Sequence, residues 1–180
     1  LFAASAEFTS QLLKTNDNFS FEYQALKLYQ EVIGLHLYDK NPEALIDAEI
    51  SRLEYVYSIS VNPAKDSLYV AALSGMFSRY KNHPSATEIA FEIAVQLNDD
   101  GENSAIYYDT DFEELTAISS AKKWNKKRAV EICDEAISLF PDSFGAENCR
   151  IFKARILKPT LSITTNYASA PGKPSLALLT

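Results

Sequence analysis

The sequence has little of what catalytic and metal sites are usually built from. It contains two histidines and two cysteines among 180 residues. A zinc site needs four Cys- or His-type ligands, or an open set of three, and no such set occurs at suitable spacing. Phosphate-binding glycine motifs are missing, and neither His36 nor His83 lies beside a nucleophile. We therefore predict no catalytic, cofactor-binding or metal-binding residue, and no enzymatic activity.

Basic residues and long apolar runs are also scarce. The net charge is −7 at pH 7 and the pI is about 4.9, whereas a nucleic-acid partner requires a basic face. The one basic cluster, 122–128, is expected at the C-terminal end of a helix, where the macrodipole favours cations, with Trp124 packed under the turn. No apolar segment approaches the roughly 18 residues of a membrane span. We expect no nucleic-acid partner, and membrane contact only through an anchor outside this chain.

Apolar residues recur at helical spacing through most of the chain. Hydrophobic residues make up 47% of the sequence, which is enough for a packed core. The first stripe consists of Phe21, Ala25, Leu28, Val32 and Leu35. Five similar stripes follow, at Ile46–Tyr57, Tyr69–Tyr80, Ala86–Leu97, Ala129–Phe140 and Gly145–Ile156. This spacing predicts six helices, each with its stripe facing the core.

Three dipeptides divide the helical stripes at an even spacing. Asn41-Pro42, Asn62-Pro63 and His83-Pro84 each have the pattern of a helix cap followed by proline at the first helical position. Each of these prolines follows the previous one by 21 residues. A constant interval of this length is typical of antiparallel helices joined into hairpins.

The segment after the fourth of these helices is less regular. Asp99–Asn103 has the composition of a loop. Asp111 with Glu114 fits a capping pair that opens another helix. Asp109, Asp111 and Glu113 resemble the start of a calcium loop, but the required glycine and terminal glutamate are missing, so no calcium site is predicted.

The pattern changes after Leu157. Pro159 ends the last helix, and Leu161–Thr164 and Leu176–Leu179 have the alternation of short strands around a turn at Ala170–Pro174. Two short strands are not stable alone in water. We therefore predict a helical domain over residues 1–157 and the first strands of a truncated β domain over 158–180.

Two sets of side chains leave alternatives open. Cys133 and Cys149 lie in successive predicted helices, either as buried thiols or as a disulfide between neighbours. The tyrosines either bury their rings between helices or line a peptide-binding groove. The seven in question are Tyr23, Tyr29, Tyr38, Tyr55, Tyr57, Tyr69 and Tyr80.

The spacing of small residues before Pro141 resembles one helix of a known repeat. Ala129, Cys133, Ala136 and Pro141 follow the pattern of the second helix of a tetratricopeptide repeat, and Ala117 stands where the first helix has a small residue. This resemblance implies an antiparallel helix-hairpin (tetratricopeptide-like) solenoid or bundle. Together with the strand pattern after Leu157, we expect an all-α fold with a short C-terminal β segment.

A longer run resembles the N-terminal region of bacterial alpha-2-macroglobulin family proteins of the Bacteroidetes type. The run Cys133–Cys149 leads through Ala154–Ile156 into Pro159–Ile163 and then Pro171–Pro174. In that family a helical region precedes the first macroglobulin-like β domain. Cys133-Asp134-Glu135-Ala136 lacks the glutamine of the family's thioester motif, so the resemblance implies no thioester in this chain.

The family resemblance also implies a function and a location. It implies a non-catalytic scaffold within a larger periplasmic or cell-envelope lipoprotein that entraps or inhibits proteases. The expected partners are the other domains of the same polypeptide, and proteases or envelope proteins. The alternative is a stand-alone tetratricopeptide-like adaptor that binds proteins or peptides.

Overall fold

Seven helices make up most of the described part of the chain. The computed structural model describes residues 1–103 and 124–159, together with two short strand segments, 163–165 and 177–179. The helices are α1 (Ser5–Ser10), α2 (Phe21–His36), α3 (Glu43–Ile59), α4 (Lys65–Tyr80), α5 (Ala86–Asn103), α6 (Asn125–Leu139) and α7 (Phe144–Leu157). The predicted all-α class is confirmed.

Two strands of three residues follow the last helix. β1 (Ile163–Thr165) pairs antiparallel with β2 (Ala177–Leu179), and Ile163 lies opposite Leu179. Pro159 comes two residues after the end of α7, consistent with its predicted role as a helix stop. That these strands open a larger β domain stays a prediction.

Helices α3, α4 and α5 begin with the same local geometry. In each connecting turn, the side chain before the proline accepts a hydrogen bond from the backbone N–H two residues later, as in an Asx-turn. The bonds are Glu43 N–H to Asn41 Oδ1 (3.2 Å), Ala64 N–H to Asn62 Oδ1 (2.8 Å) and Ser85 N–H to His83 Nδ1 (3.2 Å). The prolines precede the first helical residue by one or two positions, so their predicted place inside the helix is wrong.

The N-terminal ends of alternate helices lie together. The Nε2 atom of His83, before α5, is 3.1 Å from Oδ1 of Asn41, before α3. The hydroxyl oxygens of Thr87 in α5 and Ser143, the N-cap of α7, are 2.9 Å apart. Helices α3, α5 and α7 therefore begin at one end of the molecule.

The buried apolar residues form two clusters, and α3 contributes to both. The larger cluster joins α3 to α7 and contains Ile46, Leu53, Tyr69, Leu73, Met76, Ile89, Ala90, Ile93, Ala94, Leu97, Ala129, Cys133, Ala136, Cys149 and Phe152. The smaller cluster joins α1, α2 and α3 and contains Phe8, Leu26, Ile33, Leu45, Ala48 and Val56. The last five predicted stripes thus face the core, as expected.

Three of the five residues in the first predicted stripe lie outside the core, and this is a correction; Val32 packs at the edge of the smaller cluster. On α2 the buried residues are Leu26, Gln30 and Ile33, whereas Phe21, Leu28 and Leu35 are exposed. The cause is α1, because the amide of Gln30 donates to the carbonyl oxygens of Phe8 (2.8 Å) and Gln11 (2.7 Å). These bonds and the apolar contacts of the smaller cluster orient α2 so that Phe21, Leu28 and Leu35 face solvent.

Small residues bring α5, α6 and α7 close together. Fully buried alanines and cysteines line their contacts: Ala86, Ala90 and Ala94 on α5, Ala129, Cys133 and Ala136 on α6, and Ala146 and Cys149 on α7. At the start of α7, a β-carbon added to Gly145 would overlap the backbone of Thr87 and Glu88. Close backbone approach is a setting in which glycine is required.

A buried ion pair fixes the N-terminal residues against α3. Arg52 is 1% exposed, and its guanidinium pairs with Glu49 and donates to the carbonyl oxygens of Leu1 (2.5 Å) and Ala3 (3.1 Å). The same guanidinium lies 4.4 Å from the ring centroid of Phe8 in α1. The sequence predicted neither α1 nor this anchor.

Two further predictions need correction. Helix α5 continues to Asn103, so the predicted loop at Asp99–Asn103 is wrong. The described basic residues of the cluster, Lys126, Lys127 and Arg128, lie in the first turn of α6, and Trp124 is 59% exposed rather than packed under a turn. Lys122, Lys123, Asp109, Asp111, Glu113, Glu114, Ala117 and the turn at Ala170–Pro174 lie outside the described residues.

Candidate interaction surface

The two histidines have structural partners. Nδ1 of His36 is 2.7 Å from Oδ2 of Asp39, at the exposed end of α2. In His83, Nδ1 accepts from the Ser85 N–H, so Nε2 carries the proton and donates to Asn41. Both histidines thus lie at the surface or in a cap, and they hold the turns that begin or end helices.

The two cysteines are buried free thiols in contact across α6 and α7. Cys133 and Cys149 are both fully buried within the larger cluster. A hydrogen bond to Cys133, and then burial, raise the pKa of the Cys149 thiol. The thiol is therefore protonated at neutral pH and unreactive as a nucleophile.

Four of the seven tyrosines pair between helices. Tyr57 stacks on Tyr69 at a centroid distance of 4.8 Å, and Tyr29 lies 5.8 Å from Tyr55. The Tyr57 hydroxyl donates to Asp66 Oδ1 at 2.9 Å. Tyr23 lines a cavity beside the start of α2, and three other cavities on the described residues have no tyrosine in their lining. This arrangement favours the structural interpretation of the tyrosines.

A carboxyl pair joins α3 to α5 beside the stacked tyrosines. Burial, the charge of Glu54 and a hydrogen bond to Glu54 raise the pKa of Glu92 to about 7. Burial, followed by the charges of Glu92 and Glu54, also raises the pKa of Tyr69. The sequence gave no indication of this pair, because the two residues lie in different helices and belong to no motif.

Four carboxylates line a cavity of about 490 Å³ at the end where α3 and α5 begin. They belong to Asp39, Glu43, Asp47 and Glu88. Burial, and then the charges of Asp47 and Glu43, raise the pKa of Glu88. Helix N-termini stabilise nearby negative charge, which gives these acids a structural reason to lie here.

The most distinctive surface is the outward face of α2. Phe21, Leu28 and Leu35 are 89%, 61% and 77% exposed and follow one another at intervals of seven residues. Ala25 and Val32 lie between them along the helix and are partly buried. We name these five residues the α2 stripe. Soluble monomers rarely expose large contiguous apolar patches unless these bind something.

Within the described residues, no group of three or more His, Cys, Asp or Glu side chains is arranged to hold a metal ion. No helix in that part of the chain combines the length and apolar character needed to cross a bilayer.

The comparisons with known proteins do not identify a relative. No protein-family model matches the chain, and no curated protein and no solved structure matches it either.

Proposed function

We propose that this chain is a non-catalytic helical scaffold that binds other protein segments. The observation that carries the proposal is the α2 stripe, in which Phe21, Leu28 and Leu35 are exposed on a helix that packs against α1 and α3. The side chains most suited to catalysis have structural partners: the histidines cap turns and the cysteines pack in the core. A surface of this kind is suited to binding a partner.

The finer proposal for the architecture is a tetratricopeptide-like array. It is supported by the even interval of Pro42, Pro63 and Pro84, by the shared turn geometry, and by the common end at which alternate helices begin. The small residues of α5, α6 and α7 support it further, because close helix approach depends on them in such repeats.

We propose further that the scaffold is the N-terminal module of a larger envelope protein related to bacterial alpha-2-macroglobulins. Its support is the resemblance of the run Cys133–Cys149 and of the segment that follows Pro159. In the parent protein the module would position the β domains or bind a partner, while protease entrapment or inhibition would belong to the whole protein.

The parent open reading frame tests the family proposal. A frame that continues into successive β-sandwich domains supports it. A frame that ends near residue 180, or that continues without such domains, contradicts it and favours the stand-alone adaptor.

The stand-alone adaptor is the second candidate, and the α2 stripe favours it equally. As a stand-alone adaptor, the chain would bind peptides or proteins by itself, without further domains. The stacked Tyr57 and Tyr69 are then structural, so Tyr57→Phe is expected to leave binding unchanged while charged substitutions in the stripe remove it. If Tyr57→Phe removes binding while the protein remains folded, the alternative interpretation, in which the tyrosines line a peptide-binding groove, is supported instead.

A further inference from the structure

We propose that the α2 stripe is the docking site for one amphipathic α-helix whose apolar face is flanked by lysine or arginine residues. This inference rests on the proposed scaffold function and specifies the chemistry of a partner.

The spacing of the stripe fits a single helix. Its five residues, Phe21, Ala25, Leu28, Val32 and Leu35, alternate at intervals of four and three, which is the 3.5-residue period of a two-helix seam. This period keeps an apolar row facing a partner helix along its length. Phe19 and Tyr38, both at least 90% exposed, extend the apolar surface beyond the two ends of the row.

The position of α2 explains why the row has no cover within the described chain. Helix α2 packs against α1 and α3 through Leu26, Gln30 and Ile33, with Val32 at the edge of this contact. Phe21, Leu28 and Leu35 lie outside it and are exposed. The outermost helix of a stacked array normally presents a polar outer face to water. An apolar outer face therefore indicates that a further element packs there.

The charges around the stripe select a basic partner. Glu31 lies on α2 beside Leu28 and Leu35, and Glu22 follows Phe21; neither has an ion-pair partner within the described residues. Lys27 is the one lysine or arginine of α2.

A second copy of the chain fits this surface less well. The net charge of −7 on each chain opposes the approach of two copies. A helix with basic flanks instead gains an attractive pair at each glutamate. The same charges would speed its association.

The test uses the full chain and two synthetic helical peptides of about three heptads, both with leucine at the a and d positions. One peptide carries lysine or arginine at e and g, and the other carries glutamate there. Isothermal titration calorimetry measures each affinity. We expect the basic peptide to bind, the acidic peptide to bind at least about tenfold more weakly, and Leu28→Glu with Leu35→Glu to abolish binding of the basic peptide.

Two further variants distinguish specific binding at the α2 stripe from nonspecific attraction between the acidic chain and a basic peptide. Ile151→Glu on α7 alters a residue that is 63% exposed, close to the 61% of Leu28, and is expected to leave the affinity unchanged. Glu22→Lys with Glu31→Lys is expected to shift the preference toward the acidic peptide. Circular dichroism establishes that each variant remains folded.

Three results would overturn the inference. One is binding of the basic peptide that Leu28→Glu with Leu35→Glu leaves intact, because the contact would then be nonspecific. Another is a folded chain that binds neither peptide. The third is a dimer in analytical ultracentrifugation that the same two substitutions dissociate, since the occupant would then be a second copy. None of these bears on the downstream reading frame, so the family proposal is tested separately.

Discussion

Gly145 at the start of α7 lies against the backbone of Thr87 at the start of α5, with no space for a β-carbon between them. Gly145→Ala should therefore force the two helices apart. Overpacking of this kind costs about 1–3 kcal/mol of the free energy of unfolding. Urea denaturation followed by circular dichroism measures the loss.

Gly34 and Gly75 provide the matched comparison for Gly145. Both lie inside helices, and a β-carbon added at either position meets no atom within 4 Å. Alanine at these sites should stabilise the protein by about 0.5–1 kcal/mol, because glycine is the poorer helix former. A stabilising effect of Gly145→Ala similar to these would show that α5 and α7 are not in close contact.

The buried pair of Arg52 and Glu49 should be essential for stability. Arg52→Met leaves the Glu49 carboxylate buried without its partner and removes the donors to the Leu1 and Ala3 carbonyl oxygens. Breaking a buried ion pair from one side costs about 3–5 kcal/mol. Chemical denaturation measures the loss, and Glu49→Leu combined with Arg52→Met should recover part of it.

Arg150 and Glu147 form the exposed counterpart, with the same three-residue spacing on α7. Arg150→Met should cost less than about 1 kcal/mol, because exposed ion pairs contribute little. Equal costs at the two sites would contradict the structural role of Arg52.

Cys133 and Cys149 should resist modification in the folded protein. Both are fully buried, so a thiol reagent reaches them only when the core opens. Labelling with Ellman's reagent should be slower in native buffer than in denaturant by about a thousandfold or more, given typical domain stabilities. Glu131→Cys, at a 60% exposed position on α6, should label at once.

Two outcomes would contradict this picture of the thiols. Rapid labelling of the parent protein in native buffer would show that the α6–α7 contact is open. Failure to label in denaturant without reductant would show that the two cysteines had formed the disulfide that the sequence left as an alternative.

Local patterns in the sequence predicted helix positions well. Asn41, Asn62 and His83 mark helix starts within a few residues, because each accepts a hydrogen bond from a neighbour two positions away. The stripes of α3 to α7 also predicted their buried faces. Such features depend on residues close in sequence, so they can be recognised without the fold.

Features that depend on distant residues were missed. Leu26 and Ile33 are apolar and seven residues apart, and the same holds for Leu28 and Leu35. Hydrophobic spacing alone therefore could not show which side of α2 is buried. The choice depends on Gln30 and its carbonyl partners in and after α1, a helix too short for a periodic stripe. The α2 stripe was accordingly predicted as core, and its exposure became visible only in the structure.

Glu92 should make the stability of the fold depend on pH near neutrality. Burial and the neighbouring Glu54 raise its pKa from 4.5 to about 7, so the folded protein holds the proton more tightly than the unfolded chain. The resulting stabilisation is complete below about pH 4.5 and is lost as the pH rises through about 7. The free energy of unfolding should fall over this range, by at most about 1.4 kcal/mol per pH unit, the limit for one proton.

Glu92→Gln isolates this contribution, because glutamine keeps the shape of the side chain and supplies an amide that can hydrogen-bond but does not titrate. Urea denaturation at several pH values between about 5 and 8 should give a smaller slope for the variant than for the parent protein, and higher stability at the alkaline end. Glu22→Gln, at an exposed position on α2, should leave the slope unchanged. If the parent and Glu92→Gln share one pH profile, Glu92 titrates alike in the folded and unfolded chains, and the carboxyl pair between α3 and α5 does not form in solution.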